Sequence, residues 1–351
     1  MQTRDVIRYF DAQADICERL GSPLYTALSR ACARDLEKGG PVASLLEGWS
    51  GNALLDAVAM RLFGAVHRLV LKGELPELAR HYPSMGGKPE SPRLEEAFLA
   101  AVSAEADRIV PELEEQVQTN EVCRSAVLLG GFLELAAATE MPLRQLELGA
   151  SAGLNHIWDQ YRYRLGDFDW GAADALPLLD TAWSGPPPKL DAKLVVAERA
   201  ACDLFPIDLS QAEAEFRLDS FIWPDQPERR QRFAQAAERV RNARVEIDAA
   251  RALPWLEAKL AAPSPGRVTV IFHSVFWYYM THEDRRGVEA LLAEKGAAAD
   301  TTAPLAWLRM EASSVDVCEL RLSLWPGSGL REDRVLAECG FHGQFVNWLD
   351  G

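Results

Sequence analysis

The stretch that most constrains this chain is Gln145-Leu146-Glu147-Leu148-Gly149-Ala150-Ser151-Ala152-Gly153. Its apolar first half predicts a strand. Its small residues predict a turn, and the chain beyond predicts a helix from Leu154 to Tyr163. Glycine adopts backbone angles that other residues avoid, so Gly149 and Gly153 let main chain approach a neighbour closely. Strand, glycine turn and helix are the usual opening of a nucleotide-binding α/β unit. The letters Gly149-Ala150-Ser151-Ala152-Gly153 also satisfy G-x-S-x-G, the nucleophile elbow of serine hydrolases. Two chemistries are therefore open at one turn.

Length and charge narrow the context. A chain of 351 residues with 48% hydrophobic content has material for about two domains and a packed core. A formal net charge of −15 repels phosphate backbones, so non-specific nucleic-acid binding is not expected. The six cysteines are scattered with no C-x-x-C pair, which reads as reduced, buried thiols. Met1 to Phe10 lacks the apolar core of a secretory signal. The longest apolar run, Ala53 to Leu71, carries Asp56, Arg61, His67 and Arg68. A cytoplasmic protein without a membrane span is the expectation.

Residues 1–118 read as a helical domain. Ser22-Pro23 sets a capping hydroxyl before a proline at a first helical turn, and Gly39-Gly40 stops that helix. Asn52 to Leu71 has apolar residues at helical spacing and ends at Lys72-Gly73, and Ser91-Pro92 repeats the start signal. A further helix from about Thr119 to Thr139 opens the second domain, 119–351. There β-rich runs at Leu194–Ala197, Ala243–Ile247, Val268–Phe272, Leu305–Met310, Glu319–Trp325 and Phe345–Trp348 are interleaved with helical stretches at Arg229–Arg241, Pro254–Leu260 and Asp284–Lys295. Such alternation predicts an α/β fold, a parallel sheet with helices on both faces. Gly166 to Lys189, rich in Gly, Pro and Asp, reads as an insertion.

Glu147-x-Gly149-x-x-x-Gly153 resembles the first motif of class I S-adenosylmethionine-dependent methyltransferases. That resemblance implies a turn beneath the cofactor, with Glu147, Gly149, Ser151 and Gly153 around it. It implies an acid at the end of the next strand for the ribose hydroxyls, Asp203 with Glu198 as rival, and a further acid near the adenine, Asp248. A carboxylate accepts both protons of a ribose diol. The strand Val268–Phe272 runs into His273-Ser274 and Val275-Phe276-Trp277-Tyr278-Tyr279, where a reaction centre belongs. His273 is the candidate general base, or equally a histidine bonded to its neighbours at a sheet end. A nicotinamide cofactor is not expected, because Ser151 stands at the second glycine of G-x-G-x-x-G.

The hydrolase alternative takes Ser151 as nucleophile, Asp203 or Asp248 as acid and His273 or His342 as base. Against it, the chain supplies mostly helix before the turn, where a hydrolase needs several strands. No histidine pair has the i, i+4 spacing of a metal helix, so no metal site is expected. Trp223 in Phe221-Ile222-Trp223-Pro224-Asp225-Gln226, with Trp277 and Tyr278, can wall a pocket for a flat or apolar substrate, or belong to the core.

Gln118-Thr119-Asn120-Glu121, Leu146 to Asn155, Phe221 to Gln226, His273 to Trp277, Trp307 to Glu311, Gly21 to Tyr25 and Val66 to Leu71 together resemble a bacterial family known as a domain of unknown function. The likeness spans nearly the whole chain. It implies a Rossmann-like, class I methyltransferase-type sheet preceded by an all-α N-terminal domain, and no activity. By placement it adds Asn120 and Arg124 as substrate-binding candidates. The function expected is S-adenosylmethionine-dependent methyl transfer to a small molecule. The alternative is a non-catalytic ligand-binding or regulatory protein on the same fold.

Overall fold

In the computed structural model, residues 3–54, 56–90, 93–327 and 331–349 are described. The Ser91-Pro92 start signal lies outside them. The chain forms two compact units, 1–119 with 210–231, and 120–209 with 232–351.

The first unit is helical: α1 (Thr3–Arg19), α2 (Pro23–Lys38), α3 (Pro41–Leu45), α4 (Val58–Leu71), α5 (Pro76–Ala79), α6 (Arg93–Ala104) and α7 (Ala106–Leu113). Ser22 caps α2 as its sequence predicts, its hydroxyl oxygen accepting from the Tyr25 N–H, and Gly39 closes the helix at φ +69°. The returning segment 210–231 is tied to this cap. Asp225 accepts from the Ser22 hydroxyl at 2.8 Å and from the Leu24 N–H at 3.0 Å. Trp223 packs in the core of this unit, its ring 5.8 Å from that of Tyr25. Of the two readings open for Trp223, pocket wall or core, its placement is the core one: a large apolar side chain with core partners is held by burial.

The second unit contains α8 (Arg124–Thr139), the later part of α10 (Pro227–Ala243), α11 (Ala252–Lys259), α12 (His282–Ala297) and all strands; α9 (Ala212–Ser220) lies in the first. The strands are β1 (Leu143–Leu148), β2 (Arg162–Leu165), β3 (Phe168–Trp170), β4 (Leu178–Ser184), β5 (Val196–Asp203), β6 (Asp248–Ala249), β7 (Val268–Ser274), β8 (Leu305–Ala312), β9 (Cys318–Trp325), β10 (Arg331–Cys339) and β11 (Phe345–Trp348). They form one 11-stranded sheet in the order β3-β2-β4-β11-β10-β9-β8-β7-β1-β5-β6. From β6 to β8 neighbours are parallel; β8 to β11 are antiparallel.

Helices cover both faces of the parallel part. Leu146, Ile271 and Trp307 share a core with Trp255 and Leu256 of α11 and Val288 and Leu292 of α12. The adjacent Phe272 points the other way, edge-on to Phe132 of α8 at 5.2 Å. Gly131 of α8 brings that helix onto Leu308: a Cβ there would fall 2.3 Å from Leu308 Cδ1.

Three expectations are corrected. Residues 154–163 are not a helix but turns and a short 3₁₀ segment, Trp158–Gln160, leading into β2. The run 243–247 is not a strand, because α10 continues through Ala243 and only Asp248–Ala249 pair with β5. The insertion 166–189 carries β3 and β4, and β4 joins the sheet beside β11. No helix among the described residues is long and apolar enough to cross a membrane, and the six cysteines are buried and free.

Candidate functional site

The carboxyl ends of β1, β5, β7 and β8 gather most of the residues the sequence singles out. After Leu148 the chain turns through Gly149 (φ +69°), Ser151 (+54°) and Gly153 (+77°). The Cys202 carbonyl accepts from the N–H groups of Gly149 and Ala150 at 2.9 and 3.1 Å, tying the turn to β5. A Cβ on Gly149 would lie 2.1 Å from Phe276 Cδ2, and one on Gly153 would lie 2.8 Å from Val245 Cγ1. The close approach that Gly149 permits is thus taken by the Phe276 ring. The Ser151 hydroxyl is buried and has no hydrogen-bond partner.

Asp203 faces this turn. One carboxylate oxygen accepts from the Ser151 N–H at 2.8 Å and the other from the Phe205 N–H at 2.8 Å. Glu198, near the start of β5, bonds instead to Arg144 and Arg267. Asn120 clamps the other side, accepting from the Leu154 N–H at 3.1 Å and donating to the Ala150 carbonyl at 3.2 Å. Side chains explain the absent helix. Asn155 donates to the Glu121 carbonyl and accepts from the Ser125 hydroxyl, while the Tyr161 hydroxyl donates to the Leu154 carbonyl. These bonds compete with a helical ladder. Asp248 is exposed on β6, paired opposite Cys202 of β5. The Trp255 indole N–H, at 2.7 Å, and the Lys259 ammonium hold its carboxyl below the usual range.

Glu147 points to the α8 face and is buried against His156, Nδ1 to Oε2 3.1 Å. Burial raises its pKa, and the hydrogen bond from His156 opposes that rise.

His273 is fully buried at the end of β7. Trp307 donates its indole N–H to His273 Nε2 at 3.0 Å. Indole is a donor only, so Nε2 is unprotonated and the ring proton sits on Nδ1, 2.6 Å from Glu311 Oε1. Both nitrogens are engaged, and Trp277 stacks on the ring at 5.1 Å. Glu311 Oε1 also accepts the Phe276 N–H at 3.0 Å. Val275, between Ser274 and Phe276, has φ +50°, a strained value for a β-branched residue. Arg124 donates from Nη1 to the Ser274 carbonyl at 3.3 Å and from Nε to the Phe341 carbonyl at 2.9 Å. Tyr278 and Tyr279 follow, exposed, with ring centroids 4.0 Å apart.

Two clusters result. One joins Asn120, Gly149, Ser151, Gly153 and Asp203; the other joins Arg124, His273 and Trp277. Phe276 links them. Glu311 and Phe276 are the residues that motif reasoning missed, although both sit in strings that carried the family likeness. Among the described residues, no group of three or more His, Cys, Asp or Glu is placed to hold a metal ion.

A family model described as an uncharacterized protein conserved in bacteria (DUF2332) matches residues 8–348. No curated protein and no solved structure matches the chain.

Proposed function

We propose, from the premise that this chain belongs to the DUF2332 family, that its second unit binds S-adenosylmethionine and transfers the methyl group to a small molecule. The strand order carries this reading. In β6-β5-β1-β7-β8 the connections run outward in both directions from β1 and β7. In Rossmann-like sheets a ligand occupies the crevice at such a reversal, outside the carboxyl ends.

The residues fit the ribose end of the cofactor. Each Asp203 oxygen accepts one backbone N–H and keeps a second lone pair for a ribose hydroxyl. The Ser151 hydroxyl, buried without a partner, supports a polar ligand atom beside the turn. When bound, the cofactor supplies an electrophilic methyl group on a sulfonium. Asn120 and Asp203 hold the turn rigid. His273, with both nitrogens engaged, orients Glu311 and takes no proton from substrate. A nucleophile that is already unprotonated needs only placement.

A second reading, a non-catalytic ligand-binding protein, is favoured by the Phe276 ring packed on Gly149 where a cofactor would approach. The hydrolase reading draws support from the left-handed Ser151, as in a nucleophile elbow. A serine nucleophile needs a base within hydrogen-bond reach, and Ser151 has none among the described residues. Equilibrium dialysis of the full chain with labelled S-adenosylmethionine tests the proposal. Saturable retention, displaced by S-adenosylhomocysteine and lost in Asp203→Ala, is expected. No retention by the folded wild type refutes it.

A further inference from the structure

Arg124 and Glu311 carry opposite charges to neighbouring points of one strand end. Arg124 meets the Ser274 carbonyl and Glu311 meets the Phe276 N–H, two residues on. Arg124 is 9% exposed, yet its hydrogen bonds go only to carbonyls. Among the described residues, no carboxylate lies within ion-pair distance of it. A buried guanidinium without a counter-ion is costly. Its position compounds this, because Arg124 opens the 16-residue α8, where the positive end of the helix dipole disfavours a cation. Glu121 accepts from the Cys123 N–H at that helix end.

Glu311 is the complement. His273 and Phe276 both donate to Oε1, while Oε2 has no donor among the described residues, and the side chain is 17% exposed. The neutral His273 leaves the carboxylate charge in place. The chain Trp307 to His273 to Glu311 fixes that carboxylate by hydrogen bonds at each step. A cation short of an anion and a carboxylate with a spare oxygen flank the same three residues, Ser274 to Phe276.

We infer that Arg124 and Glu311 form a receptor for an α-amino carboxylate, the carboxylate on Arg124 and the ammonium on Glu311 Oε2. The inference rests on the ligand site proposed above and names the class of molecule it takes. Two sources share this chemistry: a free amino acid as substrate, and the methionyl end of the cofactor itself.

Calorimetric titration of the full chain separates them. The probes are the standard L-α-amino acids, S-adenosylhomocysteine, and methylthioadenosine, which lacks the amino carboxylate. The variants are Arg124→Gln and Glu311→Gln, each compared with wild type in melting temperature; Glu311→Gln keeps an acceptor for the Phe276 N–H. For a free amino acid as ligand, at least one standard L-α-amino acid binds, both variants weaken it about tenfold or more, and S-adenosylhomocysteine binding is unchanged. For the cofactor's own end, S-adenosylhomocysteine binds more tightly than methylthioadenosine and both variants remove the difference. An amino acid that binds in this charge-dependent way while S-adenosylhomocysteine does not leaves the receptor standing and removes the methyltransferase reading. The receptor is overturned when no amino acid binds and the two nucleosides bind alike, when nothing binds, or when folded variants bind as wild type does. Should Arg124→Gln fail to fold, Glu311→Gln alone decides by the same criteria.

Discussion

At the residue scale, stability and the proposed ligand affinity make opposite predictions for Ser151. Its buried hydroxyl has no partner, so the folded state bears a desolvation cost with no compensating hydrogen bond. Ser151→Ala is expected to leave stability unchanged or raise it by up to about 1 kcal/mol in urea unfolding, while weakening S-adenosylhomocysteine. A loss of stability would mean that the hydroxyl is satisfied in solution. His67 offers a pH signature. It is fully buried in the first unit, with Nδ1 3.0 Å from the Ser220 carbonyl and Nε2 2.9 Å from the Ser84 hydroxyl. Burial lowers its pKa from 6.5 to about 4. The unfolded chain therefore takes up the proton first as pH falls. The contribution of His67 is complete above pH 6.5 and is lost progressively down to about pH 4, on the order of 3 kcal/mol in all. Urea unfolding across that window is expected to be less pH-dependent in His67→Asn than in wild type; equal slopes would contradict it. The sequence made His273 visible as a strand-end residue but concealed its partners. Only the parallel pairing of β7 with β8 brings Glu311, far along the chain, to its Nδ1.

At the scale of elements, burial was the readable signal. Val268 to Phe272 is an apolar run, and β7 is buried through His273. Leu154, Ile157, Trp158 and Tyr161 have helical spacing and are all buried, yet no α-helix forms. Asn155 and His156 between them are buried as well, and Asn155 bonds to Glu121 before α8 and to Ser125 in its first turn. Such long-range polar partners leave no periodic trace. Local spacing also could not reveal that β4 pairs with β11, more than half the second unit away in sequence. Packing of α8 on the sheet gives a test at this scale. Ala is favoured over Gly in a helix by about 1 kcal/mol, but the new methyl of Gly131→Ala would meet the fully buried Leu308 at 2.3 Å. Overpacking of a tight core costs about 1–3 kcal/mol, so the clash outweighs propensity. A lower urea midpoint is expected, with Leu308→Ala in the same chain recovering part of the Gly131→Ala penalty. A midpoint raised by Gly131→Ala would show that the interface gives way.

At the scale of the whole molecule, the chain folds as a helical unit and an α/β unit, and the helical unit takes in residues 210–231. Helical patterning at the start and strand alternation later made the N-terminal helical region and the mixed α/β region legible. The return of 210–231 was not, because Asp225 reveals itself as the partner of the Ser22 cap of α2 only when both segments are placed. In the second unit, the glycine turn with Asp203 beside it is the nucleoside site we propose. Calorimetric titration of the full chain with S-adenosylhomocysteine decides whether it binds. One site per chain is expected, with heat abolished by Asp203→Ala and retained by Asp248→Ala, whose carboxylate is committed to Trp255 and Lys259. Absence of heat from the folded wild type, or binding indifferent to Asp203, would contradict it.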